Sequence, residues 1–243
     1  MRRCGFRFER RLRAGGITRI GGIDEAGRGA LAGPVVAAIA ILPERFRHKK
    51  LRDSKQLAPD LREEIYVQIT SNGDVVWGVG VVDSIEIDQL NILRATHKAM
   101  RVALAALGEQ PEHVLIDGLP VHPFPLPQTA IVEGDCLSLS IAAASVIAKV
   151  TRDRMMREFC ARYPEYCFSQ HKGYGTELHV TKLHVHGPCP IHRRSFEPVA
   201  QPLFAFARLQ ERDRMNKMNR MEEPVGAMPA PPIPHSVHSV NSV

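Results

Sequence analysis

Between Ser140 and Val150 the chain reads Ser-Ile-Ala-Ala-Ala-Ser-Val-Ile-Ala-Lys-Val, a stretch that is small and apolar on nearly every side. A helix with no polar face has to be buried. One built from alanine and serine can approach its neighbour closely, so the segment calls for a broad apolar surface of the kind a sheet provides. It runs on into the polar Thr151 to Arg162, which predicts one long helix. Candidate strands for that sheet are Ile20 to Asp24, Val35 to Leu42 and Val75 to Val82, rich in Val and Ile and bounded by Gly, Pro or Asp. The short connection between the first two permits antiparallel pairing. His113 to Asp117 and Thr129 to Glu133 add two more strands, with a Pro-rich loop between them. Pro59 opens a helix with acidic residues in its first turn, as the macrodipole prefers. Asn91 can cap another, with Ala95, Ala99, Val102, Ala103 and Ala106 on one face and Gly108 and Pro111 as the stop. The expected fold class is therefore α/β, a mixed sheet with helices on both faces and a C-terminal helical segment.

The chain has 243 residues, 44% hydrophobic and 24% charged, enough for one substantial core. No run approaches the roughly 18 apolar residues of a membrane span, and the Arg-rich start lacks the apolar stretch of a secretory signal. A cytoplasmic monomer with no membrane association is expected. The five cysteines are odd in number and contain no C-x-x-C pair, so reduced thiols are expected. Cys160, Cys167 and Cys189 with His171, His179, His184, His186 and His192 could be imagined as a zinc site, but finger-like ligand spacing is missing.

The formal charge is +6, and seven arginines against one glutamate fall within the first twenty residues. Residues 1–19 read as a basic arm suited to a polyanion, or simply as a solvated basic helix. Residues 20–210 form the expected catalytic domain. From about Glu211 the pattern dissolves into Met, Asn, Pro, Ser and Val, a disordered tail by composition over 211–243. Gln201-Pro202-Leu203-Phe204 faintly suggests a peptide for a replication-associated partner, although such apolar residues more often pack in a core.

The chemistry begins at Asp24-Glu25, two adjacent carboxylates that end an apolar strand and run into Ala26-Gly27-Arg28-Gly29. Burying acids is costly unless cations compensate. Neighbouring residues on a regular strand face opposite ways, so the two can share a site only if the backbone bends or if Glu25 contributes its carbonyl oxygen. Asp117 ends the strand Val114-Leu115-Ile116, and Asp135 follows Gly134 after the next strand, so the strand ends could converge on one rim. Hard oxygen ligands without His or Cys favour Mg²⁺ or Mn²⁺ over zinc. Such a cluster suits two-metal displacement at phosphorus.

Gly27 to Ala32 also fits the dinucleotide pattern G-x-G-x-x-G/A, but Pro34 and the apolar run from Val35 look like a strand where that motif needs a helix. There is no Walker-type loop. A nucleotide-dependent oxidoreductase and a non-catalytic nucleic-acid-binding protein remain the rival classes.

Taken in order, Gly22-Ile23-Asp24-Glu25-Ala26-Gly27-Arg28-Gly29, Asp53-Ser54-Lys55, Leu115-Ile116-Asp117-Gly118, Gly134-Asp135, Ser140 to Ser145, Ala148 to Asp153, His171-Lys172-Gly173-Tyr174 and His192 to Phe196 resemble the sequence blocks of ribonuclease HII. One departure is Ala30, where that family usually has Pro. The resemblance implies a ribonuclease H-like fold and hydrolysis of the phosphodiester on the 5′ side of a ribonucleotide. The substrates would be RNA–DNA hybrids or duplex DNA with embedded ribonucleotides, and the products 3′-hydroxyl and 5′-phosphate ends. It also implies that Asp24, Glu25, Asp117 and Asp135 are the catalytic and metal-binding residues, that Gly27, Arg28 and Gly29 read the ribose 2′-hydroxyl, and that Tyr174 stacks at the RNA–DNA junction. Lys55, Lys149, Arg152, Lys172, Arg193 and Arg194 are candidate phosphate contacts. Asp153 is either an orienting acid or a helix-surface one.

Overall fold

A computed structural model describes residues 4–48, 50–51, 54 and 57–201 of the chain. Lys55, the segment after Gln201 and the tail lie outside the described residues, and so do the readings placed on them.

Five strands, β1 (Ile20–Ala26), β2 (Val35–Ile41), β3 (Val76–Val82), β4 (His113–Asp117) and β5 (Gln128–Ile131), form one sheet in the order β3-β2-β1-β4-β5. β1 pairs antiparallel with β2, and β2 with β3, as the short β1–β2 connection allows. β1–β4 and β4–β5 are parallel, so the sheet is mixed. The interior strand β2, Val-Val-Ala-Ala-Ile-Ala-Ile, is buried on both faces.

Each face carries its own core. Ile23, Val35, Ala37 and Ile39 pack with Ala95, Ala99 and Ala103 of α4 (Ile92–Ala105), while Val36, Ala38 and Ala40 pack with the apolar stretch of α5 (Leu139–Arg162) and with Ile65 and Ile69 of α2 (Pro59–Thr70). This alternation along β2 is the period-two pattern of a strand with helices on both sides. The alanine-rich helices come very close to the sheet. A Cβ added to Gly22 of β1 would lie 2.1 Å from the main-chain carbon of Ser140, and one on Gly80 of β3 would lie 2.0 Å from the carbonyl oxygen of Ala99.

Asn91 caps α4 as expected, its side chain accepting from the Arg94 amide. Val102, expected on the buried face of α4, is 40% exposed. A helix over Ser84–Leu90 (α3), capped by Asp83, was not expected, because its seven residues are too few to show a clear period. β5 ends at Ile131, earlier than expected, because Glu133 takes a left-handed φ of 56° and Gly134–Cys136 turn into α5.

The N-terminal segment contains a helix, α1 (Arg7–Ala14), docked beside the start of α5. Gly5 exchanges main-chain bonds with Leu137 and Leu139, and the fully buried Glu9 accepts from the Ser138 hydroxyl at 2.6 Å and the Ser140 amide at 3.1 Å. A carboxylate at that helix N-terminus opposes the macrodipole. Two short helices, α6 (Phe168–His171) and α7 (Glu177–His186), complete the described C-terminal region. No described helix is long and apolar enough to cross a membrane.

Candidate active site

The sheet register brings the acids together. Ile23 of β1 is paired in parallel with Ile116 of β4, so Asp24 and Asp117 each follow at the same level. Residues two apart on a strand share a face. Asp24 therefore looks the same way as Gly22, towards α5, and Asp117 looks the same way as Leu115, which packs on Ile141 of α5. Asp135 reaches the same place from the turn before α5. Carboxylate oxygens of Asp24, Asp117 and Asp135 lie within 4.8 Å of one another, and theirs is the only group of three or more His, Cys, Asp or Glu so placed among the described residues.

Asp24 and Asp117 are held by neutral donors. Asp24 accepts from the Glu25 amide at 2.7 Å and from the hydroxyl of Ser145. The spacing along α5 fits: the four or five residues from Gly22's contact to Ser145 rise roughly 6–7.5 Å, close to the roughly 6.6 Å that two strand residues cover. Ser145 is in turn 2.8 Å from the Ser54 hydroxyl. Asp117 accepts from the Gly134 amide at 2.7 Å, which ties the Asp135 turn to β4. Burial first, then the charges of Glu25 and Asp117, push the Asp24 carboxyl well above its ordinary range.

Glu25 is not part of that cluster. β1 stays in register with β2 through Ala26, so no bend turns Glu25 to the Asp24 side. Its carboxylate is instead 3.2 Å from the Arg28 guanidinium.

The loop leaving β1 does not begin a helix; it leads into β2, which removes the dinucleotide-binding reading. It is clamped by two fully buried arginines. Arg152 donates to the carbonyls of Pro34, Lys172 and Ala32, and Arg193 to those of Gly33, Arg28 and Gly27, all at 2.7–3.0 Å. These guanidiniums are committed to main-chain oxygens, so the expectation that Arg152 and Arg193 contact phosphate is corrected: they are loop anchors. Gly27, at φ 95°, is required by this packing, since a Cβ would lie 2.0 Å from Arg152 Nε. A Cβ on Gly29 would meet no atom of another described residue beyond its chain neighbours within 4 Å.

Tyr174 lies against this loop, bridged to Ala30, while Leu31 donates to the Gly173 carbonyl at 2.8 Å. Its ring faces two cations, Arg152 at 5.3 Å and Lys149 at 5.6 Å. Lys149 is also 2.7 Å from Asp153, which pairs with Arg62 at 3.5 Å. Asp153 is thus a buried orienting acid and not a helix-surface one. Arg62 further donates to the carbonyls of Ser54 and Leu57, joining that loop to α5. Lys172 donates to the Ser169 carbonyl, and Arg194 is exposed.

The imagined zinc residues are not a ligand set. His179, His192 and Cys189 form a buried hydrogen-bonded group linked to the Tyr174 carbonyl, with His171 stacked on His179 and Phe168 and Tyr166 around it. Sequence reading missed Arg62 and the Ser54–Ser145 link. The available signals were a serine inside an otherwise apolar helix and a helix-borne arginine following the Asp53-Ser54-Lys55 block.

The family model described as Ribonuclease HII matches residues 21–199. The ribonuclease HII of Geobacillus kaustophilus is 53% identical over 203 residues, covering 84% of this chain and 77% of the relative. That of Geobacillus thermodenitrificans is 53% identical over 197 residues, covering 81% and 75%. A crystal structure of ribonuclease H2 from Pyrococcus horikoshii OT3 superposes with a TM-score of 0.64 at 27% identity, covering 81% of this chain and 99% of that one.

Proposed function

The chain belongs to the ribonuclease HII family and has its ribonuclease H-like fold, and from that premise we propose that the acid rim cuts the phosphodiester on the 5′ side of a ribonucleotide, in RNA–DNA hybrids and at ribonucleotides embedded in duplex DNA. The enzyme is an endoribonuclease of the hydrolase class. The observation that carries the finer reading is the meeting of Asp24 and Asp117, on one face of parallel strands, with Asp135 from the turn before α5, the Asp24 carboxyl being raised by burial and by its acidic neighbours.

These residues fit hard divalent cations: the three clustered donors are carboxylate oxygens, no His or Cys takes part, and the burial and repulsion that raise Asp24 are offset by positive charge. Mg²⁺ or Mn²⁺ bound there supplies an activated water and stabilises the leaving oxygen of an in-line displacement. The protein's part is to keep the Asp24 and Asp117 carboxylates in place through the Glu25 and Gly134 amides and the Ser145 hydroxyl, with the Gly134 bond also tying down the turn that carries Asp135. Glu25, whose side chain faces the other side of the sheet, joins the set through its main-chain oxygen.

Recognition falls to the clamped loop. Nothing among the described residues requires Gly29 to lack a side chain, whereas a sugar approaching its main chain would. The Gly27-Arg28-Gly29 backbone is the proposed reader of the 2′-hydroxyl, the group that distinguishes RNA from DNA. Tyr174, steadied by Lys149 and Arg152, offers a flat ring to the deoxyribose at the junction, and Lys55 and Lys149 contact phosphates. The protein acts as a monomer on these duplexes, and the segment from Gln201 is the proposed contact for a replication-associated partner.

The test is a duplex carrying one ribonucleotide, incubated with the protein and Mg²⁺, Mn²⁺ or EDTA. Expected is cleavage 5′ to the ribonucleotide with a metal ion and none with EDTA. Nicking in EDTA, no nicking with either ion, or a cut on the 3′ side overturns the reading.

A further inference from the structure

Beneath Tyr174 lies a chain of hydrogen bonds whose direction is fixed atom by atom. The Cys189 amide donates to His192 Nδ1 at 2.9 Å, so the proton on that ring sits on Nε2. His192 Nε2 is 3.0 Å from His179 Nε2, which must then accept. His179 therefore carries its proton on Nδ1, and Nδ1 is 3.0 Å from the Tyr174 carbonyl. A third ring, His171, accepts from the Gly173 amide at Nδ1 (3.1 Å) and donates from Nε2 to the Tyr166 carbonyl (2.8 Å). It stacks on His179 with ring centroids 4.3 Å apart. All three rings are buried, and no ring nitrogen of the three is left unpaired.

Histidines that only filled space would not need such an ordered set of tautomers. From Cys189 through His192 and His179 each proton position is dictated by the one before it, and the sequence ends on the main chain of the residue that presents the junction-reading ring. The Tyr174 carbonyl also accepts from the Thr176 amide at 2.8 Å, and the Tyr174 amide donates to the His171 carbonyl at 3.0 Å, so the tyrosine's backbone is held on both sides. Its ring is thereby fixed between the Gly27–Gly33 loop, through the Ala30 bridge, and the cations of α5.

We propose that His179, oriented by His192, is a positioning residue for single-ribonucleotide recognition, acting through the Tyr174 main chain and touching neither substrate nor metal. This rests on the reading of Tyr174 as the ring that stacks at the RNA–DNA junction. A buried hydrogen bond of this kind that is lost leaves the carbonyl under-satisfied and frees the loop, and misplacement on the scale of an ångström is enough to slow a positioned reaction strongly.

The experiment compares the parent, His179→Phe, His179→Asn, Tyr174→Ala and the His179→Phe/Tyr174→Ala double variant on two substrates: a duplex with one ribonucleotide and a long RNA–DNA hybrid. Phe keeps the ring stacking and loses both nitrogens. Asn can place an amide N–H where Nδ1–H was. Expected for His179→Phe is a loss in kcat/KM of about tenfold on the single-ribonucleotide duplex beyond any loss on the hybrid, with His179→Asn close to the parent. Expected also is that the His179→Phe effect disappears once Tyr174 is Ala. Equal losses on the two substrates, or a full His179→Phe effect in the Tyr174→Ala background, overturn the positioning role while leaving the Tyr174 reading intact. If Tyr174→Ala itself leaves the ratio of the two substrates unchanged, the junction reading fails and this inference fails with it. Should His179→Phe not fold, His192→Phe, which cuts the chain one link earlier, is read in the same way. In the parent protein, ¹⁵N spectra of the histidines should show the Nδ1–H tautomer at His179 and Nε2–H at His192; the opposite assignment overturns the chain directly.

Discussion

The acid rim and the histidine group are both largely buried and rich in ionisable residues, yet they are built on opposite terms. At the rim, three like-charged side chains are pressed together, and burial with its neighbours pushes Asp24 up. Under Tyr174, burial pushes His179 down to about 4 and His192 to about 3, so the rings stay neutral and their nitrogens pair with one another and with the main chain. On the proposed function the rim takes its countercharge from a bound cation. The histidine group is complete as it stands. Function is expected where the chain leaves an electrostatic demand unmet, and scaffolding where it meets every demand internally.

The sharpest way to break this contrast is Asp24→Asn. Cleavage of the single-ribonucleotide duplex should fall at least about a thousandfold, as when a preorganised polar group is removed from an active site. Duplex binding should survive, and the metal-free protein should melt no lower than the parent because a destabilised buried carboxylate is gone. A metal-free melting temperature well below the parent's would show that Asp24 is structural.

Next in size is Arg193→Met on the satisfied side. Three loop carbonyls lose their donor, and a loss of about 2–4 kcal/mol in folding stability is expected by denaturant titration without metal. An unchanged midpoint would mean that the loop holds its shape without the clamp.

The smallest effect is on acid sensitivity, where the two regions should respond with opposite sign. The unfolded chain protonates its histidines near 6.5, while folded His179 and His192 resist until about 4 and about 3. Their contribution is complete above about pH 6.5 and is lost as pH falls towards 4, on the order of a few kcal/mol. Asp24, raised in the fold, takes up its proton more readily when folded and so favours the folded state as pH falls. Denaturant midpoints between pH 7.5 and 4.5 should therefore drop less for His179→Phe than for the parent. Parallel curves would remove the neutral histidines as the cause.

Most of the rim was legible in the sequence. The small apolar helix demanded a sheet, the Val- and Ile-rich runs supplied it, and acids at strand ends marked one edge. The side-chain direction of Glu25 was not legible, because it depends on β1 keeping its register with β2 through Ala26, a long-range pairing. The roles of Arg152 and Arg193 were misread for a related reason. Local sequence shows an arginine's charge, but whether it meets phosphate or carbonyl depends on which distant loop folds over it. The histidines showed their metal-binding residue types plainly, and only their spatial pairing reveals that the nitrogens are already used.

Gly22 sets a tolerance for the whole of the proposed reaction centre. Because it lacks a side chain, α5 rests directly on β1, and that contact fixes how far Ser145 stands from Asp24 and how deep the Asp135 turn sits beside Asp117. A single added methyl would work as a shim, lifting the rod that carries these parts and widening the gap between the carboxylates before any of them had been altered.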